Sequence, residues 1–241
     1  MTVEQRDRLT PLYEQVRRAI LAEIDSGARP AESYLPAESD LCAIHGVSRI
    51  TLRRALSELC AEGRLIRQQG RGTLVAPPKV QQTLISLSGF SETVESLGRN
   101  ASHRVLARHD APSDAEASAI AERLGAEVLV RFDRLLQIDG RPMTLEALWF
   151  DALRLASVVE PVAQGGSFFA ALRDRAGARP ASAERRIDVG FAIAREREVL
   201  EVTPSQAVYR VSKTVLGSDG KALAMSRLVT PCHLVTFLVR S

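Results

Sequence analysis

Three cysteines in 241 residues, Cys42, Cys60 and Cys232, are an odd number and have neither the paired spacing of a zinc site nor that of a disulfide framework. They read as free thiols, and the first two, on N-terminal helices, read as buried. No apolar run approaches the roughly 18 residues needed to cross a bilayer. Residues 1–15 hold no apolar core ahead of a cleavage site, so no signal peptide is expected. Nucleophile motifs, phosphate-binding loops and metal-ligand spacings are also missing. These gaps leave a cytoplasmic chain with no membrane partner and no cofactor as the expectation.

What is present is ordinary in bulk and uneven in detail. Apolar residues make up 45% and charged residues 25%, values that argue against wholesale disorder. The length suits one large domain or two modest ones. A net charge of +3 is too small to identify a partner, although the pI is near 9.0 and almost all the basic residues are arginine. Between Arg49 and Arg71, however, six arginines face only two acids, Glu58 and Glu62.

The first 76 residues alternate helix signals with stops. Thr10-Pro11 reads as a helix start, and Leu12, Val16, Ile20 and Ile24 recur at helical spacing up to Gly27. A second helix near Glu38–His45 is expected to bury Leu41 and Ile44 and to stop at Gly46. Ser48 caps a third, with Leu52, Ala55, Leu56 and Leu59 as its inward stripe and Gly63 as its end. Leu65-Ile66 and Leu74-Val75 then flank a Gly-Arg-Gly tip. Three helices and a hairpin make a winged helix-turn-helix.

Ala76-Pro77-Pro78 breaks this pattern, since two prolines favour a stiff extended connector. The expected organisation is a winged-helix domain over 1–76, a linker over 77–83 and a second domain over 84–241. In the second domain, helices are expected over Asp114–Leu124 (with Ala115, Ala119 and Leu124 inward), Ser167–Ala176 and Ala194–Leu200, with strands near Glu184–Gly190 and Leu234–Val239. RLLQIDGRPMTLEALWF and KTVLGSDGKALAMSRLV carry the same strand–Asp-Gly–strand plan, a weak internal duplication. The fold class is therefore α+β, with the second domain on a mostly antiparallel sheet of pseudo-symmetric halves.

The basic third helix and the glycine-bearing hairpin point to duplex DNA. Arg49 and Arg53, four apart at the helix start, share one face, and the planar arginine fork suits guanine O6 and N7. Thr51 and Arg54 lie more laterally, where phosphate contact is expected. Gly70 and Gly72 let the backbone approach DNA, and Arg71 at the tip can enter a minor groove.

PLYEQVRRAI, then LPAESDLCAIHGVSRITLRRALSELCAEGRLIRQQGRGTLV, resembles the DNA-binding domain of the GntR family of bacterial transcription regulators over residues 11–75. The resemblance implies operator contacts from Arg49, Thr51 and Arg53 and from wing residues Gln69, Gly70 and Arg71. One departure is Ser39, where the family often has an arginine. GFSETVESLG, VLVRFDRLLQIDGRPMTLE, SFFAAL and the second Asp-Gly hairpin resemble the ligand-sensing (UTRA) domain of the HutC subfamily, which shares its fold with chorismate lyase. That resemblance implies a small, often anionic effector. Arg134 would meet its anionic group, Glu146 its hydroxyls and Ser167 a phosphate, while Phe90 and Ser91 stand at the loop closing the cleft. Leu136, Phe169, Ala224 and Thr230 stand where amino-sugar-phosphate sensors have an arginine, a tyrosine, an acid and a tyrosine. Those losses argue against that ligand and for a smaller or more apolar anion. An ion pair between Arg134 and Glu146 remains the plainer alternative for those two residues.

The function expected is a ligand-responsive repressor that binds a palindromic operator as a homodimer and is released by its effector. The alternatives are a lyase-like enzyme, for which Asp133, Glu146 and His233 are the only acid–base candidates, and a DNA-binding protein without an effector.

Overall fold

The computed structural model describes residues 10–68, 70–77, 79–83 and 89–238, so Gln69 and Pro78 lie outside the described residues. The chain divides into two compact units, Met1–Lys79 and Val80–Ser241.

The first unit is built of α1 (Leu12–Asp25), α2 (Glu38–His45), α3 (Arg49–Ala61) and the antiparallel hairpin β1 (Leu65–Gln68) and β2 (Gly72–Val75). Its core gathers Val16 and Ile20 of α1, Leu41 of α2 and the fully buried Leu52, Ala55, Leu56 and Leu59 of α3, each buried leucine contributing about 1.5–3 kcal/mol. Ser48 Oγ accepts the Thr51 amide at 3.2 Å, the N-cap expected, and Gly46 ends α2 in the left-handed region. Several details differ from the sequence reading. Pro11 rather than Thr10 holds the N-cap position of α1, without a side-chain cap. Leu12 and Ile44 are exposed, and Cys42 and Cys60 are half-buried at the edge of the core.

The second unit centres on a six-stranded antiparallel sheet in the order β4-β5-β6-β9-β8-β7. Its strands are β4 (Ala101–Asp110), β5 (Leu129–Ile138), β6 (Arg141–Asp151), β7 (Pro180–Phe191), β8 (Ala207–Gly217) and β9 (Ala222–Pro231). Asp139 and Gly140, both at positive φ, form the two-residue turn between β5 and β6. With α5 (Ala115–Leu124) and α8 (Ala194–Leu200), each half runs strand, helix, strand, strand, and the halves meet at the β6–β9 seam. The duplication in the sequence thus becomes an approximate two-fold of the sheet.

One sheet face packs against α5, through Ile120 and Leu124 on Trp149, and against α8, through Leu200 on Leu135 and Val208. The other packs against α6 (Ala156–Ala163) and α7 (Phe168–Arg175), where Val158, Val162, Phe168 and Leu172 meet Phe132, Phe150 and Ala224. In α5 the buried positions are Ala117, Ile120 and Leu124, while Ala115 and Ala119 face outward, contrary to the sequence reading.

Three features were not expected: β4, α6 and β3 (Val80–Thr83), which pairs in parallel with β10 (Val235–Leu238), the last strand expected near Leu234–Val239, of which Val239 lies outside the described residues. Residues 80–83, read from sequence as part of a linker, therefore pair as a strand. Phe90 and Ser91 likewise open a helix, α4 (Phe90–Glu95), and do not lie in a loop.

Candidate functional site

Burial of one stripe of α3 forces the opposite stripe outward. Arg49, Ile50 and Arg53 are exposed there, and Ile50 is 84% accessible. An open isoleucine at the start of a helix suits contact with a thymine methyl, a reader that carries no charge or polar signal in the sequence. Arg53 Nε donates to Glu38 Oε2 at 2.8 Å, and that bond raises the arginine's pKa. Thr51 Oγ1 lies 2.9 Å from Ser48 Oγ, tied into the cap. Arg54 lies over the Tyr13 ring at 3.7 Å and 3.5 Å from Glu58, packed on its own unit.

At the wing, Gly70 and Gly72 have φ of +75° and +111°, backbone that a side chain would strain, and Arg71 is exposed between them. The loop before α2 adds a third edge to the hairpin. Glu32 N donates to Val75 O at 2.9 Å, Val75 N to Ser33 O at 2.8 Å and Leu35 N to Thr73 O at 2.8 Å. The Tyr34 hydroxyl donates to Gln68 Oε1.

In the second unit the effector candidates gather on the sheet face that α6 and α7 cover. Arg134 and Glu146 stand opposite in the β5–β6 register, both buried. Arg134 Nε donates to Glu146 Oε2 at 3.0 Å, Nη2 donates to the same oxygen, and Nη1 donates to Gly166 O at 3.3 Å. The ion pair weighed as the plainer alternative is made. Burial pushes the Glu146 carboxyl up, but the Arg134 charge and hydrogen bonds from Arg134 and Ser226 together hold it below its usual range.

Ser167 caps α7, its Oγ accepting the Ala170 amide at 3.4 Å. Before it, Gly165 (φ +83°) and Gly166 leave no room for a Cβ, which would lie 2.5 Å from His103 O and 2.7 Å from Pro161 O. The loop carrying Ser167 is thereby pressed against β4. His103 of β4 completes the cluster and was missed in the sequence. Its Nε2 is 3.4 Å from Ser91 Oγ and its ring 5.8 Å from that of Phe90. Burial and the Arg134 charge lower its pKa to about 4. Phe169 meets Gly89 on one side and Lys213 on the other. Thr230, on the same face, shares a 2.8 Å hydrogen bond with Thr144. Leu136 and Ala224 are buried.

Two of the three acid–base candidates, Asp133 and Glu146, do not converge. Glu146 shares the face of the cluster, whereas Asp133, one residue from Arg134, points to the opposite face and pairs with Arg131 at 2.8 Å.

A winged helix with an open basic reading face, and an antiparallel sheet with a buried ionic cluster, define a DNA-binding regulator with a ligand-sensing unit. The chain belongs to the GntR family: the model described as "Bacterial regulatory proteins, gntR family" matches residues 12–75, and the UTRA domain model matches 96–233. It is 32% identical to the uncharacterized HTH-type transcriptional regulator YurK of Bacillus subtilis (strain 168), over 96% of each chain. It is 34% identical to the histidine utilization repressor of Pseudomonas putida, over 59% of this chain and 57% of that one. The crystal structure of PhnF from Mycobacterium smegmatis matches with a TM-score of 0.64 at 26% identity, covering 94% of this chain and 98% of that one. No described helix is long and apolar enough to cross a membrane.

Proposed function

We propose that this regulator acts as a homodimeric repressor that reads a palindromic operator and releases it when a small anionic metabolite binds the second unit. The observation that carries the DNA half is the outward face of α3, where Arg49, Ile50 and Arg53 are held open by complete burial of Leu52, Ala55, Leu56 and Leu59. Arg49 and Arg53 read base edges, Thr51 and Arg54 meet phosphate, and Gln69, Gly70, Arg71 and Gly72 serve as the wing. Arg54 leaves Tyr13 to do so.

The effector half involves Phe90, Ser91, Arg134, Glu146, Ser167, Phe169 and Thr230. Because Arg134 and Glu146 satisfy each other, the ligand engages the pair as a unit, through the guanidinium edge that now meets Gly166 O. The ligand is bound and not converted, in keeping with the separation of Asp133 from Glu146. Dimerisation is supported by edge strand β7, where Val189, Phe191 and the following Ile193 are 66%, 63% and 60% accessible. The linker over 77–83, shortened by β3, couples the units, and the repressor works in the cytoplasm.

The test is binding of the full-length protein to a fluorescent duplex from upstream of its own gene across a salt series. The expected result is a steep salt dependence, with Arg49→Ala weakening operator binding by about tenfold to a hundredfold. Unchanged affinity in both Arg49→Ala and Arg53→Ala overturns the assignment of the reading face.

A further inference from the structure

The two halves of the six-stranded sheet are not chemically equal. The approximate two-fold at the seam, centred on the Ala147–Arg227 pair, carries Glu146 onto Ser226 and Arg134 onto Lys213. In the first half Arg134 faces a carboxylate in register and pairs with it. In the second half Lys213 faces Ser226 in register on one side and Arg185 of β7 on the other. One half has a cation and an acid; its counterpart has two cations and a hydroxyl.

Lys213, one of only three lysines in the chain, makes no ion pair among the described residues. Its ammonium sits 4.3 Å from the centroid of the Phe169 ring, and its side chain is half-buried. The Ser226 hydroxyl is engaged by Glu146. Like charges directly opposite on neighbouring strands repel, and a partly desolvated ammonium without an ion-pair partner is costly. Burial, then Arg185, pull the Lys213 pKa down to about 8 against the opposing pull of Glu146, and burial lowers that of Arg185 as well.

We propose that Lys213 and Arg185 form a second anion-binding pole of the effector site, which takes an oxyanion group of the effector, carboxylate or phosphoryl, beside the Phe169 ring. The proposal rests on the reading of this sheet face as the effector site. The effector is accordingly a small acid whose anionic group docks on β7 and β8 while its remainder reaches the Arg134–Glu146 pair.

The experiment uses the full chain with inorganic phosphate and malonate as probes, read by calorimetry and thermal unfolding against chloride at matched ionic strength. Two variants separate binding from folding. Lys213→Met keeps the stem over Phe169 without the charge, and Ser226→Glu recreates the acid that the first half has. Saturable binding of either probe to the unsubstituted protein is expected, weakened at least tenfold in both variants. The probe that binds distinguishes carboxylate from phosphoryl recognition. Undiminished binding in both variants overturns the pole. If Arg134→Met/Glu146→Leu then loses binding, the effector face stands and only the pole is wrong; if that variant also binds normally, the face itself is wrong. An unsubstituted protein that binds neither probe overturns the pole.

Discussion

Arg53 is fastened to Glu38: the Nε of the outward arginine on α3 lies 2.8 Å from an oxygen in the first turn of α2. Both side chains are substantially exposed, so the contact sets a direction more than it adds stability. It aims a planar donor fork while leaving an acid beside the face proposed to read DNA. Glu38→Gln should therefore tighten binding to any duplex by removing that acid, while loosening the aim of Arg53. The expected outcome is a several-fold gain in affinity for a scrambled duplex, a smaller gain for the operator and a lower specificity ratio, measured by anisotropy at fixed salt. A ratio that rises would show that Glu38 does not orient Arg53.

The buried pair in the second unit behaves oppositely. Arg134→Ala leaves the Glu146 carboxylate inside the sheet packing without its main partner and should destabilise that unit by about 3–5 kcal/mol. Arg134→Met/Glu146→Leu removes both charges at similar volume and should come within about 1 kcal/mol of the original stability or exceed it. Urea unfolding of the three proteins is the measurement. Loss of effector response in Arg134→Ala alone would thus be ambiguous, and the double variant is the one to use.

His103 makes stability depend on acidity. Its folded-state pKa, about 4, lies below the ordinary value of 6.5, so the folded protein resists a proton that the unfolded chain accepts. The contribution is fully present above pH 6.5 and is lost as pH falls toward 4, by up to about 3 kcal/mol. His103→Gln should flatten the stability profile between those values. A profile with the same slope in the variant would assign the acid sensitivity elsewhere.

Edge strand β7 carries the dimer prediction. Phe191→Arg, at a position already exposed, should fold normally yet shift the protein toward monomer in sedimentation equilibrium, with operator affinity falling as the dimer is lost. A variant that remains dimeric places the interface elsewhere.

The third helix was legible because cap, stripe and stop agree: Ser48, then Leu52, Ala55, Leu56 and Leu59, then Gly63. The β5–β6 hairpin was legible because Asp-Gly admits the positive φ that its turn demands. Elsewhere the local signals conflict. AEASAIAERL offers alanines on two faces, and small side chains do not say which is buried. Strand β4 is polar at most positions, as an edge strand can be, and α6 contains Pro161, which reads as a break. Arg134 and Glu146 were paired correctly because one short hairpin joins their strands. The Lys213 cluster was out of reach, since its facing partner Arg185 sits on β7, a strand separated from β8 by α8, and no local pattern gives that register.

The strand-like segment Glu32–Leu35, lying along β2 with Tyr34 reaching Gln68, has a consequence for binding rates and heat effects. A two-stranded hairpin alone is marginal in water and would have to be ordered at the moment of contact. Here the third edge orders it during folding. If the hairpin serves as the proposed wing, it meets the duplex with its strands already ordered, and docking should lack the slow, enthalpy-rich phase of a segment that folds upon its partner.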